Sequence, residues 1–243
     1  MGIVSANTLF HFTSKLQYLV GILKSDFIPR YNLEELVLGN DSVRIGVPMV
    51  SFCDIPLSSI SEHLDKYGQY ALGMSMKWAN KKKLNPVLYI KNNSTLSKQL
   101  WYLTREITVN PETDDLDLVS HLVEIMRYFK TFEGLFTFRT KGSKELNIKF
   151  YDEREWRYVP NHIKFRGMEV LLEENFAKLK DKSLPDYKLA FTPKDIKYLI
   201  VSTDKEISPL IKSIKDSERN YSYKDVELLH SRIMTIDQIK NDF

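Results

Sequence analysis

The run Phe150-Tyr151-Asp152-Glu153-Arg154-Glu155-Trp156-Arg157-Tyr158-Val159 interleaves charged and aromatic residues more tightly than any other part of the chain. Read as a strand, its side chains alternate between two faces. Glu153, Glu155 and Arg157 then share one side, and Arg154, Trp156 and Tyr158 the other. Two carboxylates and a guanidinium on one small surface suit a sugar hydroxyl and a developing positive charge. Carboxylates accept short charge-assisted hydrogen bonds, and an adjacent Arg keeps at least one of them ionised. The plainer reading is a charged edge strand with a cross-strand salt bridge.

Upstream of this run, Leu146, Ile148 and Phe150 alternate into it from a basic, Gly-containing turn over Arg139 to Lys144. Before that, Ser94 to Phe132 reads as a long helical part. Asp114, Asp115 and Asp117 lie near the start of its second helix, whose stripe is Leu118, Leu122, Ile125 and Phe129. Pro86 to Ile90 reads as a central strand. Lys77, Lys81, Lys82 and Lys83 beside Trp78 form a basic patch, which is either a solvated helix face or a phosphate contact. From Gln69 to Met76 the chain alternates Tyr70, Leu72, Met74 and Met76 against Ala71, Gly73 and Ser75. This predicts a strand with one bulky face and one bare face, over which a helix or a flat ligand ring could pack.

Nearer the start, Leu57, Ile60, Leu64 and Tyr67 keep helical spacing up to a stop at Gly68, and Val47 to Cys53 reads as a buried strand. Asn32 to Arg44 reads as a polar connection with a turn signal at Gly39-Asn40-Asp41. Thr8 to Thr13 is a short strand that runs into a capping-box pattern at Ser14, followed by a helix with the stripe Leu16, Leu19, Val20 and Leu23. His11 therefore sits near the carboxyl end of a strand, where ligands often gather; a hydrogen-bonded structural His is the plainer reading. Downstream, Ile196 to Val201 is a buried strand, and Lys205 to Asp216 and Met234 to Asn241 read as helices. The whole is α/β (α+β): a mixed sheet with an inserted helical block. We expect a single domain over residues 1–243, with a core at about 8–92 and 134–203 and the insertion at about 94–132.

Composition bounds the function. The 243 residues are long enough to bury a substantial core, and 43% hydrophobic with 28% charged is ordinary for a soluble chain. The single cysteine, Cys53, excludes an intramolecular disulfide and predicts a reducing cytoplasm. A net charge of +3 permits contact with nucleic acid without implying it. No apolar run reaches membrane-spanning length, and the first residues show neither a signal peptide nor a myristoylation pattern. P-loop, dinucleotide-fold and zincin motifs are absent, and the five histidines show no ligand spacing, so no metal site is expected. Pro185-Asp186 followed by Asp195-Ile196-Lys197 has the outline of a metal-dependent nuclease motif, and such a nuclease is the second alternative.

Taken in order, Leu9-Phe10-His11-Phe12-Thr13-Ser14, Val50-Ser51-Phe52-Cys53-Asp54-Ile55-Pro56-Leu57, Tyr67-Gly68-Gln69-Tyr70-Ala71-Leu72-Gly73, Asn85-Pro86-Val87-Leu88-Tyr89-Ile90 and Glu153-Arg154-Glu155-Trp156-Arg157 resemble the AbiGi family of bacterial abortive-infection proteins. The resemblance spans roughly residues 9 to 160. That family in turn is similar to the ADP-ribosyltransferase fold, a split mixed sheet that grips NAD. The resemblance implies NAD as substrate, with His11 on the adenosine ribose, Tyr67 or Tyr70 against the nicotinamide, and Thr13 and Arg157 also binding the cofactor. Glu155 would be the catalytic carboxylate on the nicotinamide ribose, and Glu153 would orient the acceptor. It implies a toxin-like transferase of phage defence acting on an intracellular macromolecule. Lys81, Lys82, Lys83, Arg139 and Lys141 would grip RNA or DNA as that acceptor. The alternative is a non-enzymatic antitoxin, or partner-binding protein, on the same fold.

Overall fold

In the computed structural model, residues 7–109, 116–137, 145–161 and 182–242 are described. The N-terminal strand β1 (Thr8–Thr13) lies inside the sheet, between β3 (Asp41–Cys53) and β4 (Tyr70–Ser75). Beyond β4 come β11 (Ile196–Val201) and β12 (Ile233–Thr235). Beyond β3 come β10 (Glu155–Tyr158) and the short edge strand β5 (Asn85–Pro86). All these pairings are antiparallel except β11 with β12, so the sheet is mixed. The Pro in β5 sits at an edge, where a missing N–H costs no ladder bond.

Strand β2 (Arg30–Leu38) pairs with the first part of β3 across the two-residue turn Gly39-Asn40. Gly39 holds φ 77°, the left-handed conformation such turns require. The connection expected over Asn32–Arg44 is thus a hairpin: its turn residues lie where expected, and Leu36, Leu38, Ile45 and Val47 are buried strand positions.

Helices cover both faces. On one, α1 (Leu16–Ser25), α3 (Met76–Lys81), α6 (Ile207–Lys215) and α7 (Tyr223–His230) pack over Leu9, Phe52, Leu72 and Leu199. On the other, α2 (Ile60–Tyr67) and α8 (Ile236–Asp242) pack over Phe10, Cys53, Ala71 and Ile200. At Gly73 the bare face of β4 is filled from within the sheet: the Phe10 and Tyr198 rings lie 5.9 Å apart, each 3.0 Å from where a Cβ on Gly73 would sit. The helix expected over this face is present at Ala71, under α2 and α8, while at Gly73 neighbouring strands supply the rings.

The helical block is α4 (Thr95–Val109) and α5 (Leu116–Met126), and it ends sooner than its sequence pattern predicts. Phe129–Thr131 forms strand β7, which pairs in parallel with β6 (Leu88–Ile90). The run expected as one central strand over Pro86–Ile90 is therefore divided between two sheets. A separate ribbon, β8 (Glu133–Thr137) with β9 (Glu145–Lys149), precedes the charged run. Among the described residues no helix is long and apolar enough to cross a membrane.

Candidate functional site

Glu153 ends a 3-10 turn over Phe150–Glu153 rather than continuing a strand, and Arg154 follows with φ 46°. β10 starts at Glu155, whose register partner on β3 is Cys53. Glu155 and Arg157 therefore face the side covered by α2, while Trp156 and Tyr158 pack with the core under α1. Despite the turn, Glu153, Glu155 and Arg157 come together as the strand reading predicts.

What closes the site is Lys130 on β7. Its Nζ donates to Glu153 Oε2 and Glu155 Oε2, each at 2.7 Å, and lies 5.1 Å from the Phe150 ring centroid. Arg157 donates through Nε to Glu155 Oε1 at 2.7 Å and through Nη2 to Glu155 Oε2 at 3.2 Å. Its Nη2 also reaches Glu34 Oε2 on β2 at 2.7 Å. Tyr67, at the end of α2, donates its hydroxyl to Glu153 Oε1, and the Glu155 backbone N–H donates to Tyr89 Oη at 2.8 Å. Glu153 and Glu155 are each 4% exposed, and Arg157 is fully buried. Every oxygen of the two carboxylates thus accepts from a protein donor.

The electrostatics follow from this packing. Burial would raise the Glu155 carboxyl, but Lys130 and Arg157 outweigh it and hold the group well below the usual carboxylate range. Burial likewise opposes the Lys130 ammonium, yet Glu155, Glu153 and Glu34 hold its proton more firmly than water would. Tyr67 stays protonated because burial and the Glu153 charge both disfavour a phenolate. Burial, then Glu153 and Glu155, push the Cys53 thiol up.

Of the other expected site residues, His11 lies on the opposite face. Its register neighbours point its ring, half-buried, at Phe27 and Phe52, with centroids 5.2 and 5.5 Å away. Nδ1 donates to Ser51 O at 2.8 Å, and burial lowers the ring pKa. Tyr70 shares that face and donates to Glu206 Oε1 at 2.7 Å, its hydroxyl pushed up to about 12 by burial and by Glu206. Thr13 is buried, its hydroxyl 3.4 Å from Lys15 O. The residues that NAD would need on one surface are therefore split: Tyr67, Glu153, Glu155 and Arg157 on one side of the sheet, His11 and Tyr70 on the other.

Lys81 and Lys83 are exposed at the end of α3, with Lys82 between them. Arg139 and Lys141 lie outside the described residues. Asp195, half of the nuclease outline, caps a turn by accepting from the Thr192 N–H and hydroxyl at 2.8 Å. No group of His, Cys, Asp and Glu that could hold a metal occurs among the described residues.

Sequence reasoning missed Lys130, Glu34 and Tyr89. One signal was available: two buried carboxylates and a single Arg leave a charge unpaired, so a second cation had to come from elsewhere.

Two of these groups predict an acid response. Glu155 and His11 both have folded pKa values below their unfolded ones, so each contributes stability that is full above the unfolded pKa and is lost as pH falls. The His11 share declines below about pH 6.5 and the Glu155 share below about pH 4.3. Urea unfolding between pH 7 and pH 3 should show both losses, with His11→Gln removing only the upper one.

Residues 25–202 match the family model described as "Putative abortive phage resistance protein AbiGi, antitoxin". The chain is 28% identical to the abortive phage resistance protein AbiGi of Lactococcus lactis subsp. cremoris, over 89% of this chain and 99% of that relative. No solved structure matches, and the fold is a mixed α/β architecture. The family description corrects the main functional expectation: it names an antitoxin, where the resemblance to NAD-dependent transferases implied a toxin. With the family model covering most of its length, the chain belongs to the AbiGi family of abortive phage resistance proteins.

Proposed function

We propose that this chain is the antitoxin of an abortive phage resistance pair, binding and neutralising a partner toxin by protein–protein contact without chemistry of its own. The family description carries the antitoxin reading, and the filled carboxylate pair supports the absence of chemistry. A carboxylate that stabilises a ribosyl cation must turn an open oxygen toward the substrate. Here all four oxygens of Glu153 and Glu155 are taken by Tyr67, Lys130 and Arg157. As to fold, we propose an ADP-ribosyltransferase-like sheet whose carboxylates have a structural role. In support, a His lies on β1, a Tyr ahead of β4 and a Glu at the start of β10, and β1 and β10 both border β3.

The test is expression in a bacterial host, with and without the toxin of the same resistance system. The chain alone should leave growth unchanged, restore growth when the toxin is present and co-purify with it. The purified chain should release no nicotinamide from NAD above the blank. Growth arrest by the chain alone, or arrest by the toxin regardless of the chain, would overturn the proposal.

A further inference from the structure

Among the described residues, β6 and β7 pair only with each other and join none of the strands of the large sheet. Ile90 and Phe129 on these strands and Leu100, Leu122 and Met126 on α4 and α5 share one apolar core with Leu36, Leu38, Ile45, Val47 and Met49 of the β2–β3 hairpin. The two cores on either side of the main sheet are separate clusters. A segment with its own backbone pairing, whose apolar contacts lie outside the two cores of the main sheet, can open at lower free energy than the rest of a protein.

Besides that apolar contact, Thr131 accepts from the Val37 N–H and donates to Glu35 O on β2, the Gly39 N–H donates to Asn92 Oδ1, and backbone bonds join Val87 to Glu155 and Tyr151 to Phe132; the buried charge cluster is the largest group of side-chain ties. Lys130 of β7 bridges Glu153 and Glu155. Arg157 of β10 donates to the carbonyl oxygens of Arg127 at 2.8 Å and Phe129 at 3.4 Å, and to Glu34. Tyr89 of β6 accepts the Glu155 N–H. We propose that this cluster is a latch holding the β6–α4–α5–β7 segment against β10, and that breaking it lets the segment open while the main sheet stays folded. The net gain from a buried ion pair is small, but removing one partner strands the others in a dry site, so the effect of a break is local and large. Opening would uncover the apolar side of the β2–β3 hairpin. The inference does not depend on the antitoxin reading.

Amide hydrogen exchange on the full chain tests it. In Lys130→Met, exchange in Leu88–Ile90, Leu116–Met126 and Phe129–Thr131 should speed up at least about 100-fold, while Thr8–Thr13, Tyr70–Ser75 and Ile196–Val201 stay within about threefold of wild type. If that variant does not fold, Glu34→Gln decides by the same pattern at smaller amplitude, because Glu34 is the partly exposed end of the cluster, 17% exposed against none for Arg157. Exchange that rises uniformly along the chain, or changes nowhere, overturns the latch.

Discussion

Arg157→Met is expected to lower the unfolding free energy by about 3–5 kcal/mol, the cost of stripping one partner from a buried ionic group. The guanidinium is fully buried and donates to Glu155, Glu34 and the carbonyl oxygens of Arg127 and Phe129. Methionine fills much of its volume but offers none of these donors. Glu155 would then share Lys130 with Glu153, leaving two carboxylates on one ammonium in a site from which water is excluded. Urea unfolding at pH 7 measures the loss. Adding Glu155→Gln should recover part of it, because the stranded charge, rather than the missing volume, is the larger cost. A loss below about 1 kcal/mol would mean that water enters and solvates the cluster, since exposed pairs are worth no more than that.

Gly68→Ala is expected to cost about 3 kcal/mol or more, by a different mechanism. Gly68 stops α2 with φ 127° and ψ 162°, a region that side-chain-bearing residues avoid. A Cβ there would overlap the Thr13 carbonyl oxygen and stand 2.6 Å from Ser14 Cα, where β1 hands over to α1. Backbone on both sides leaves nothing flexible to yield. Thermal unfolding should show the change, and a variant as stable as wild type would show that the β1–α1 junction can shift to make room.

Elements with a strong local pattern were legible in the sequence. The helix that Gly68 stops, the strand Ile196–Val201 and the passage from β1 into α1 lie where expected, although α1 starts after Lys15 with no side-chain cap rather than on the capping box expected at Ser14. The sharing of one surface by Glu153, Glu155 and Arg157 was legible too, although a turn rather than a strand delivers Glu153. Lys130 was not, because β7 is three residues long and shows no period of its own beside the helical pattern of α5. Glu34 was hidden by the charges around it: Glu34, Glu35 and Arg44 made a hairpin look like a loop, though Leu36 and Leu38 alternate toward the turn and Ile45, Val47 and Met49 alternate away from it. The face on which His11 lies follows only from its register against β3 and β4, which no local pattern encodes.

The order of the strands also bears on how the chain is made. β1, β3 and β4 leave the ribosome well before β10 and β11, the strands that cover their outer edges. Roughly 80 residues separate the end of β4 from the start of β10, which at the usual speed of synthesis is about 4 to 16 seconds. Throughout that interval the nascent sheet presents two uncapped apolar edges, open to chaperones, proteases or a neighbouring chain. Closure of the sheet therefore waits on strands made well after its centre, β10 first and β11 later.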